Sequence, residues 1–245
     1  MSSATSSSQN NAPLDKSSEN IAQHIIENHL SNKPRIIGLG SGRALAKIVN
    51  LLPPSIIEKC KFICTSLKIK IEAERKKLNI VDESLIPFLD IVIDGADQID
   101  SKFFMIKGGG GALFREKILY YSSKKTIIVG DVSKFVSLFS RSVPLEILPF
   151  GRTAMIPFLD KLNGVPILRT LERGYPYITE NGNLILDVMF NDYSNVLQLD
   201  AELKKIPGII ETGFFVQPAN ICYCALENDR YKVYENPPNL TRELD

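Results

Sequence analysis

Four segments of the chain combine side chains that could do chemistry with glycines that expose backbone. The first is Ile93-Asp94-Gly95-Ala96-Asp97-Gln98-Ile99-Asp100, at the end of an apolar run. Asp94 and Asp97 at a strand's end can converge on one ligand, and each raises the other's proton affinity if both face a dry cleft. Asp and Gly also favour turns, so the segment by itself fits a capped turn as well. The second is Lys107-Gly108-Gly109-Gly110-Gly111-Ala112-Leu113, followed by Arg115-Glu116-Lys117. At a helix start the N–H groups of Gly108, Gly109 and Gly110 can stabilise a negatively charged oxygen, and Lys107 adds a full positive charge. Glu116 falls about one and a half turns into the following helix, at ~3.6 residues per turn. A flexible linker is the competing reading, and a poor one, because expected elements flank the run closely.

The third segment is Gly38-Leu39-Gly40-Ser41-Gly42-Arg43, between a strand and a helix. Such loops often cradle phosphate, which makes Ser41, Gly42 and Arg43 candidate anion binders. Arg43 is followed by Ala44, so the third glycine of a dinucleotide fingerprint is missing, and no Gly-Lys-Ser/Thr phosphate loop is present. The fourth is Gly130-Asp131-Val132-Ser133-Lys134. Lys134 could reach a phosphate or a sugar hydroxyl; taken alone, an exposed surface lysine is the better reading. His24 and His29, the only histidines, share the first expected helix, which argues against a histidine triad or a histidine-rich metal site.

The elements that must position these residues alternate. Asn20 to Leu30 reads as a helix, with Ile21, Ile25, Ile26 and His29 on one face. Arg35 to Gly40 is a strand ending in glycines, and Ala44 to Leu52 a helix that Pro53-Pro54 ends. Strands follow at Lys61 to Cys64, Leu89 to Ile93 and Thr126 to Val129, with helices at Leu67 to Leu78 and Gly111 to Ser122. This predicts an α/β fold: a Rossmann-like parallel sheet flanked by helices, with ligands beyond the carboxyl ends of its strands.

From about Pro144 the texture changes. Leu145 to Leu148, Ile167 to Arg169, Tyr177 to Thr179 and Leu184 to Val188 read as short strands, Pro157 to Leu162 and Ser194 to Lys205 as helices, and Asn181-Gly182-Asn183 as a hairpin turn. A second, smaller α+β domain is expected over 144–215. The first domain then takes 17–143 and 216–245, with a disordered leader over 1–16 and an irregular tail from Glu235.

A chain of 245 residues with 44% hydrophobic and 23% charged residues has the composition of a globular protein. Its net charge of +1 provides no global field for nucleic acid or an anionic membrane, so an anion must be held locally. Lys124-Lys125 and Arg75-Lys76-Lys77 read as solvated faces. Cys60, Cys64, Cys222 and Cys224 lack the spacing of a strong zinc signal and read as buried, inert thiols in a reducing compartment. No apolar run approaches the ~20 residues that span a bilayer.

Together these segments closely resemble type A ribose-5-phosphate isomerases, over roughly Ile36 to Val216. The hallmark Asp-Gly-Ala-Asp stands at Asp94 to Asp97, and Lys-Gly-Gly-Gly-Gly-Ala-Leu at Lys107 to Leu113, followed by Arg115-Glu116-Lys117. Asp131-x-Ser133-Lys134, Pro144-Leu145-Glu146, Thr179-x-Asn181-Gly182-Asn183, Ile206-Pro207-Gly208 and Glu211-x-Gly213 match further motifs in order. The resemblance implies an aldose–ketose isomerase interconverting D-ribose 5-phosphate and D-ribulose 5-phosphate in the pentose phosphate pathway, without cofactor or metal. It implies that Glu116 shuttles a proton between two carbons, and that Asp94, Asp97 and Lys107 assist ring opening and proton traffic. The loop amides and Lys107 would stabilise the enediolate, while Ser41, Lys134 and the loop around Arg43 would hold substrate. It further implies a homodimer or homotetramer, in the cytoplasm or alternatively the plastid stroma.

The sequence departs from the family pattern in its first loop. The usual Gly-Thr-Gly-Ser-Thr is here Gly40-Ser41-Gly42-Arg43-Ala44, so two hydroxyls are lost and an arginine gained. Gln98, Lys68 and Asn20 also replace a usual Glu, Gln and Lys. Arg43 could restore the lost hydrogen bonds with a charge-assisted one, or fill the phosphate pocket. These changes motivate two alternatives: a non-catalytic homologue acting as a binding or scaffold subunit, and an isomerase for another phosphosugar.

Overall fold

Hydrophobic periodicity sets both the elements and their order. The computed structural model describes residues 12–31, 35–82, 84 and 88–236, with side chains from Lys16 on. In chain order the elements are α1 (Ala12–Ile25), β1 (Ile36–Leu39), α2 (Arg43–Leu51), α3 (Pro54–Lys59), β2 (Lys61–Cys64), α4 (Leu67–Arg75), β3 (Ile91–Gly95), β4 (Gln98–Ile99), β5 (Met105–Ile106) and α5 (Leu113–Tyr121). They continue as β6 (Thr126–Asp131), β7 (Val143–Ile147), α6 (Ile156–Lys161), β8 (Gly164–Leu168), β9 (Leu184–Phe190), α7 (Val196–Leu203), β10 (Ile209–Thr212), β11 (Phe214–Phe215), β12 (Ile221–Ala225) and β13 (Tyr231–Glu235).

The main sheet has six strands in the order β13-β12-β6-β3-β1-β2. All neighbours are parallel except β12 and β13, which pair antiparallel at one edge. Side chains alternate between its faces with period 2. Ile91 and Ile93 join the core beneath α1, α2 and α4, while Val92 joins the opposite core with Leu119 and Tyr120 of α5. By the same alternation Asp94 shares the face of Val92 and looks toward α5. β1 has β2 on one side and β3 on the other, so strand order reverses at β1. The crevice between the loops after β1 and β3 is therefore the topological switch point, where α/β sheets bind ligands.

The second sheet is antiparallel, in the order β10-β7-β9-β8. Leu145, Ile147, Leu186 and Val188 pack there against Leu159 of α6 and Leu203 of α7. A three-stranded sheet, β11-β5-β4, is formed from segments far apart in the chain. Its two-residue strands carry no periodicity, and the sequence reading missed them, along with β10, β13 and α3. Pro53 does end α2, because the residue before a proline avoids the helical region and Leu52 sits at φ −57°, ψ 125°. Pro54 then opens α3 at once, where a proline's missing N–H costs nothing.

Three expectations need correction. Helix α1 opens at Ala12, inside the expected leader; residues 1–11 lie outside the described residues. Glu235 closes β13 rather than starting the irregular tail, and 237–245 lie outside the described residues. Tyr177 to Thr179 form no strand: Tyr177 N–H reaches Arg169 O at 3.0 Å, but Thr179 N–H already turns onto Asn183 O at 2.8 Å. That turn needs Gly182 at φ +81°, the left-handed region that favours glycine.

Candidate active site

Asp94 ends β3 and is buried, facing α5. Leu113, Glu116 and Tyr120 lie on the buried stripe of α5, at the (i, i+3, i+7) spacing of one helix face. Glu116 therefore points back at the end of β3. Lys107 follows β5, which is held between β4 and β11: Asp97 N–H donates to Ile106 O at 2.9 Å and Lys107 N–H to Gly213 O at 2.9 Å. That short sheet drops the lysine ammonium between the two carboxylates. Lys107 Nζ lies 2.8 Å from Asp94 Oδ2 and 3.2 Å from Glu116 Oε2, and donates a short hydrogen bond to Gly95 O. All three side chains are at least 95% buried.

One ammonium cannot satisfy two carboxylates in a dry site. Burial, then the neighbouring Glu116 carboxylate, pushes Asp94 up to about 7, against the pull of Lys107. Burial works against the charge on Lys107, but Asp94 and Glu116 outweigh it and hold its proton above the ordinary lysine value. The cluster therefore keeps a cation on Lys107, and Asp94 takes up or gives up its proton near neutrality. Glu116 Oε1 accepts a 2.5 Å hydrogen bond from Ser41 Oγ. Glu116 Oε2 is buried and makes no hydrogen bond among the described residues; it is held by the ion pair with Lys107.

The glycine loop forms the opposite wall. Gly109 N–H donates to Asp97 Oδ2 at 2.7 Å and Gly111 N–H to Gly108 O at 2.9 Å. This corrects the expectation for Gly109, whose amide is engaged by Asp97 and not open to a ligand. Gly108 and Gly110 make no such N–H bond among the described residues. Ser41, Gly42, Arg43, Asp94, Asp97, Lys107, Gly108, Gly109, Gly110 and Glu116, all expected at the site, line one cleft of about 330 Å³. Lys134 does not. It lines an adjoining cleft of about 400 Å³ that shares Gly42, Arg43 and Gly95 to Asp97 with the first. Arg43 is exposed at the first position of α2, whose N-cap Gly42 offers no side chain, so the helix N-terminus is open to an anion.

Sequence reasoning missed several contributors. Lys68 lines the catalytic cleft. Arg169, Asp187 and Tyr177 brace the glycine loop from the small domain. The available signal was Asp187, a lone charge in the otherwise apolar run Leu184 to Phe190. Two motifs prove to be one structure: Glu146 Oε1 accepts from Thr179 Oγ1, Asn181 Nδ2 and Asn183 Nδ2 at 2.9–3.0 Å. Arg115 ties the same turn to α5 through Glu180 and Asn181. Of the cysteines, Cys60, Cys222 and Cys224 are buried and Cys64 half-buried, and none forms a disulfide among the described residues. Among the described residues no group of three or more His, Cys, Asp or Glu is placed to hold a metal ion.

Fold and site together define an α/β protein built for proton transfer on a small anionic molecule. Comparison with known proteins gives the family. The family model for ribose 5-phosphate isomerase A (phosphoriboisomerase A) matches residues 61–229, and the chain belongs to that family. It is 36% identical over 208 residues to a ribose-5-phosphate isomerase of Dictyostelium discoideum, covering 80% of this chain and 88% of that one. It is 39% identical to ribose-5-phosphate isomerase A 1 of Oceanobacillus iheyensis, over 75% of this chain and 83% of that one. Among solved structures, a D-ribose-5-phosphate isomerase in complex with phospho-erythronic acid superposes with a TM-score of 0.84 at 29% identity, covering 93% of this chain and 100% of that one. The enzyme of Methanocaldococcus jannaschii gives 0.82 at 28% identity, with coverage of 93% and 100%.

Proposed function

We infer that this chain interconverts D-ribose 5-phosphate and D-ribulose 5-phosphate through an enediolate, a step of the pentose phosphate pathway. The observation that carries the reading is the buried Lys107 ammonium, 2.8 Å from Asp94 and 3.2 Å from Glu116, at a cleft that all three residues line. In the open-chain aldose, Glu116 takes the proton on C2. The electron pair forms the C1=C2 bond, and the C1 oxygen becomes anionic. Lys107 and the Gly108 and Gly110 amides stabilise that oxygen. Asp94, whose proton is mobile near neutrality, moves a proton from the C2 hydroxyl to the C1 oxygen and first helps open the sugar ring. Glu116 then returns its proton to C1, leaving the C2 ketone. Asp97 holds the Gly109 amide.

The five-carbon chain runs from Glu116 toward Ser41, Gly42 and Arg43, where the open N-terminus of α2 and the arginine receive the phosphate, with Lys134 on the adjoining wall. In this reading the larger domain, 17–143 with 216–245, carries the chemistry, and 144–215 braces it. The molecule is a homodimer or homotetramer of the cytoplasm, the plastid stroma being the other compartment considered. Among the described residues no helix is long and apolar enough to cross a membrane.

The test is turnover of ribose 5-phosphate, with exchange of the C2 proton followed by NMR in D2O. The wild type turns over, and Glu116→Gln lowers kcat by about 10³, within the range of a lost general base. A wild type that neither isomerises nor exchanges C2–H refutes the reading and leaves the scaffold alternative.

A further inference from the structure

The small domain holds the carbonyls of Gly108, Gly109 and Gly110 in the glycine loop. Arg169, just after β8, makes a two-point ion pair with Asp187 of β9: Nε reaches Oδ2 at 2.8 Å and Nη2 binds Oδ1. Its remaining nitrogen, Nη1, donates to Gly108 O at 2.8 Å and to Gly109 O at 3.3 Å. Tyr177 Oη, its ring 6.0 Å from the guanidinium, donates to Gly110 O at 3.2 Å. In a trans peptide the C=O and the following N–H point in opposite directions. Fixing Gly108 O therefore sends the Gly109 N–H toward Asp97, where it is found. Fixing Gly109 O sends the Gly110 N–H to that same side, and there it has no partner among the described residues. A Cβ at Gly110 would stand 3.5 Å from Ser41 Oγ, the group hydrogen-bonded to Glu116, so this residue borders the base.

We propose that Arg169, anchored by Asp187 and seconded by Tyr177, is a positioning residue that aims the Gly110 amide at the developing enediolate oxygen. This rests on the isomerase reading above. Arg169 touches no reacting atom; it acts through the loop. A lysine is a point charge and cannot hold two carboxylate oxygens and two carbonyls in one plane, so Arg169→Lys should behave more like Arg169→Ala than like wild type. The inference also assigns work to the small domain: it sets the polarity of a wall in the other domain's cleft.

The experiment compares Arg169→Ala, Arg169→Lys and Tyr177→Phe with wild type. Losing one oxyanion donor outright costs about 10² to 10³ in rate, so misaiming it should lower kcat about 10- to 100-fold in Arg169→Ala. KM should change less than about threefold, because the loop stabilises the transition state and not the ground state. Guanidinium ion at millimolar concentration should restore part of the kcat of Arg169→Ala, and none of that of Glu116→Gln. Tyr177→Phe, a half-exposed position safe for folding, should lose about threefold, the size of a weak neutral hydrogen bond. An unchanged kcat in Arg169→Ala, a loss confined to KM, or a kcat loss that guanidinium does not touch overturns the proposal. The backbone amide resonance of Gly110 reads the loop without turnover: it should move in Arg169→Ala and return with guanidinium. A wild type without activity would refute the isomerase reading, while a Gly110 amide unmoved by Arg169→Ala would refute this one.

Discussion

Ser41 Oγ donates a 2.5 Å hydrogen bond to one oxygen of Glu116, and the other oxygen is paired with Lys107 Nζ at 3.2 Å. The two residues are 75 positions apart and meet because β1 and α5 converge at the switch point. The hydroxyl fixes the carboxylate's rotation, and with it the direction of the second oxygen. A hydrogen bond to a charged group contributes about 1.5–3 kcal/mol. Ser41→Ala should therefore lower kcat by roughly ten- to a hundredfold, since each ~1.4 kcal/mol is a factor of ten. Thr at this position, which keeps the hydroxyl, should recover most of the loss. Steady-state kinetics on both variants decides it; an Ala variant with wild-type kcat would show that the bond does not orient the base.

The acid cluster predicts a pH slope in stability. Asp94 is raised from 3.8 to about 7, so between these values the folded protein holds a proton that the unfolded chain releases. Stability should fall as pH rises through that window. Lys107, raised above its ordinary 10.5, contributes stability that is whole across the window and lost only as pH climbs past that value. Asp94→Asn removes the carboxylate, so its melting temperature should stay flatter than wild type from about pH 4 to about pH 7. Parallel melting curves for the two proteins would show that Asp94 carries no excess proton.

Two glycines of one loop should respond oppositely to a methyl group. A Cβ on Gly40 would fall 1.8 Å from Asp94 Oδ1, whereas a Cβ on Gly42 meets nothing within 4 Å. Gly40→Ala must push the carboxylate out of its contact with Lys107, at a cost of about 1–3 kcal/mol for overpacking and with a large loss of kcat. Gly42→Ala should stay within about 0.5 kcal/mol of wild type, as surface changes usually do. Thermal melts and kcat for the pair decide it; equal behaviour of the two would contradict this placement of Asp94.

What the sequence made legible was local. Asp94 and the Gly40–Arg43 loop stand at strand ends that apolar runs such as Leu89 to Ile93 give away, and the 108–111 glycines stand at the start of a helix. Glu116 was legible because helical spacing counts it inward from the glycines. The support was not legible. Lys107 depends on β4, β5 and β11, each of two residues, which show no period. The grip of Arg169 on Gly108 spans 61 positions and two domains, and nothing in the local pattern of either partner announces it. The same holds for Glu146, a buried carboxylate whose partners lie 33 to 37 residues away. Strand pairing made those contacts, and a single sequence does not display pairing.

The geometry of Arg43 gives its role a sign. The residue is exposed, lines both clefts, and begins α2 beside uncapped amides. No hydrogen bond or ion pair among the described residues ties it to Lys107, Asp94 or Glu116, so it stands apart from the proton-transfer groups. A positive charge there should strengthen binding of a phosphate in substrate and transition state alike. Arg43→Ala should therefore raise KM about tenfold, for the loss of one charge-assisted hydrogen bond, while kcat changes little. Raising ionic strength should increase the KM of wild type more than that of the variant, because screening acts on the charge that the variant lacks. If instead KM falls in Arg43→Ala, the side chain occupies the space the phosphate needs, and the phosphate must be held by Lys134 and the α2 amides alone.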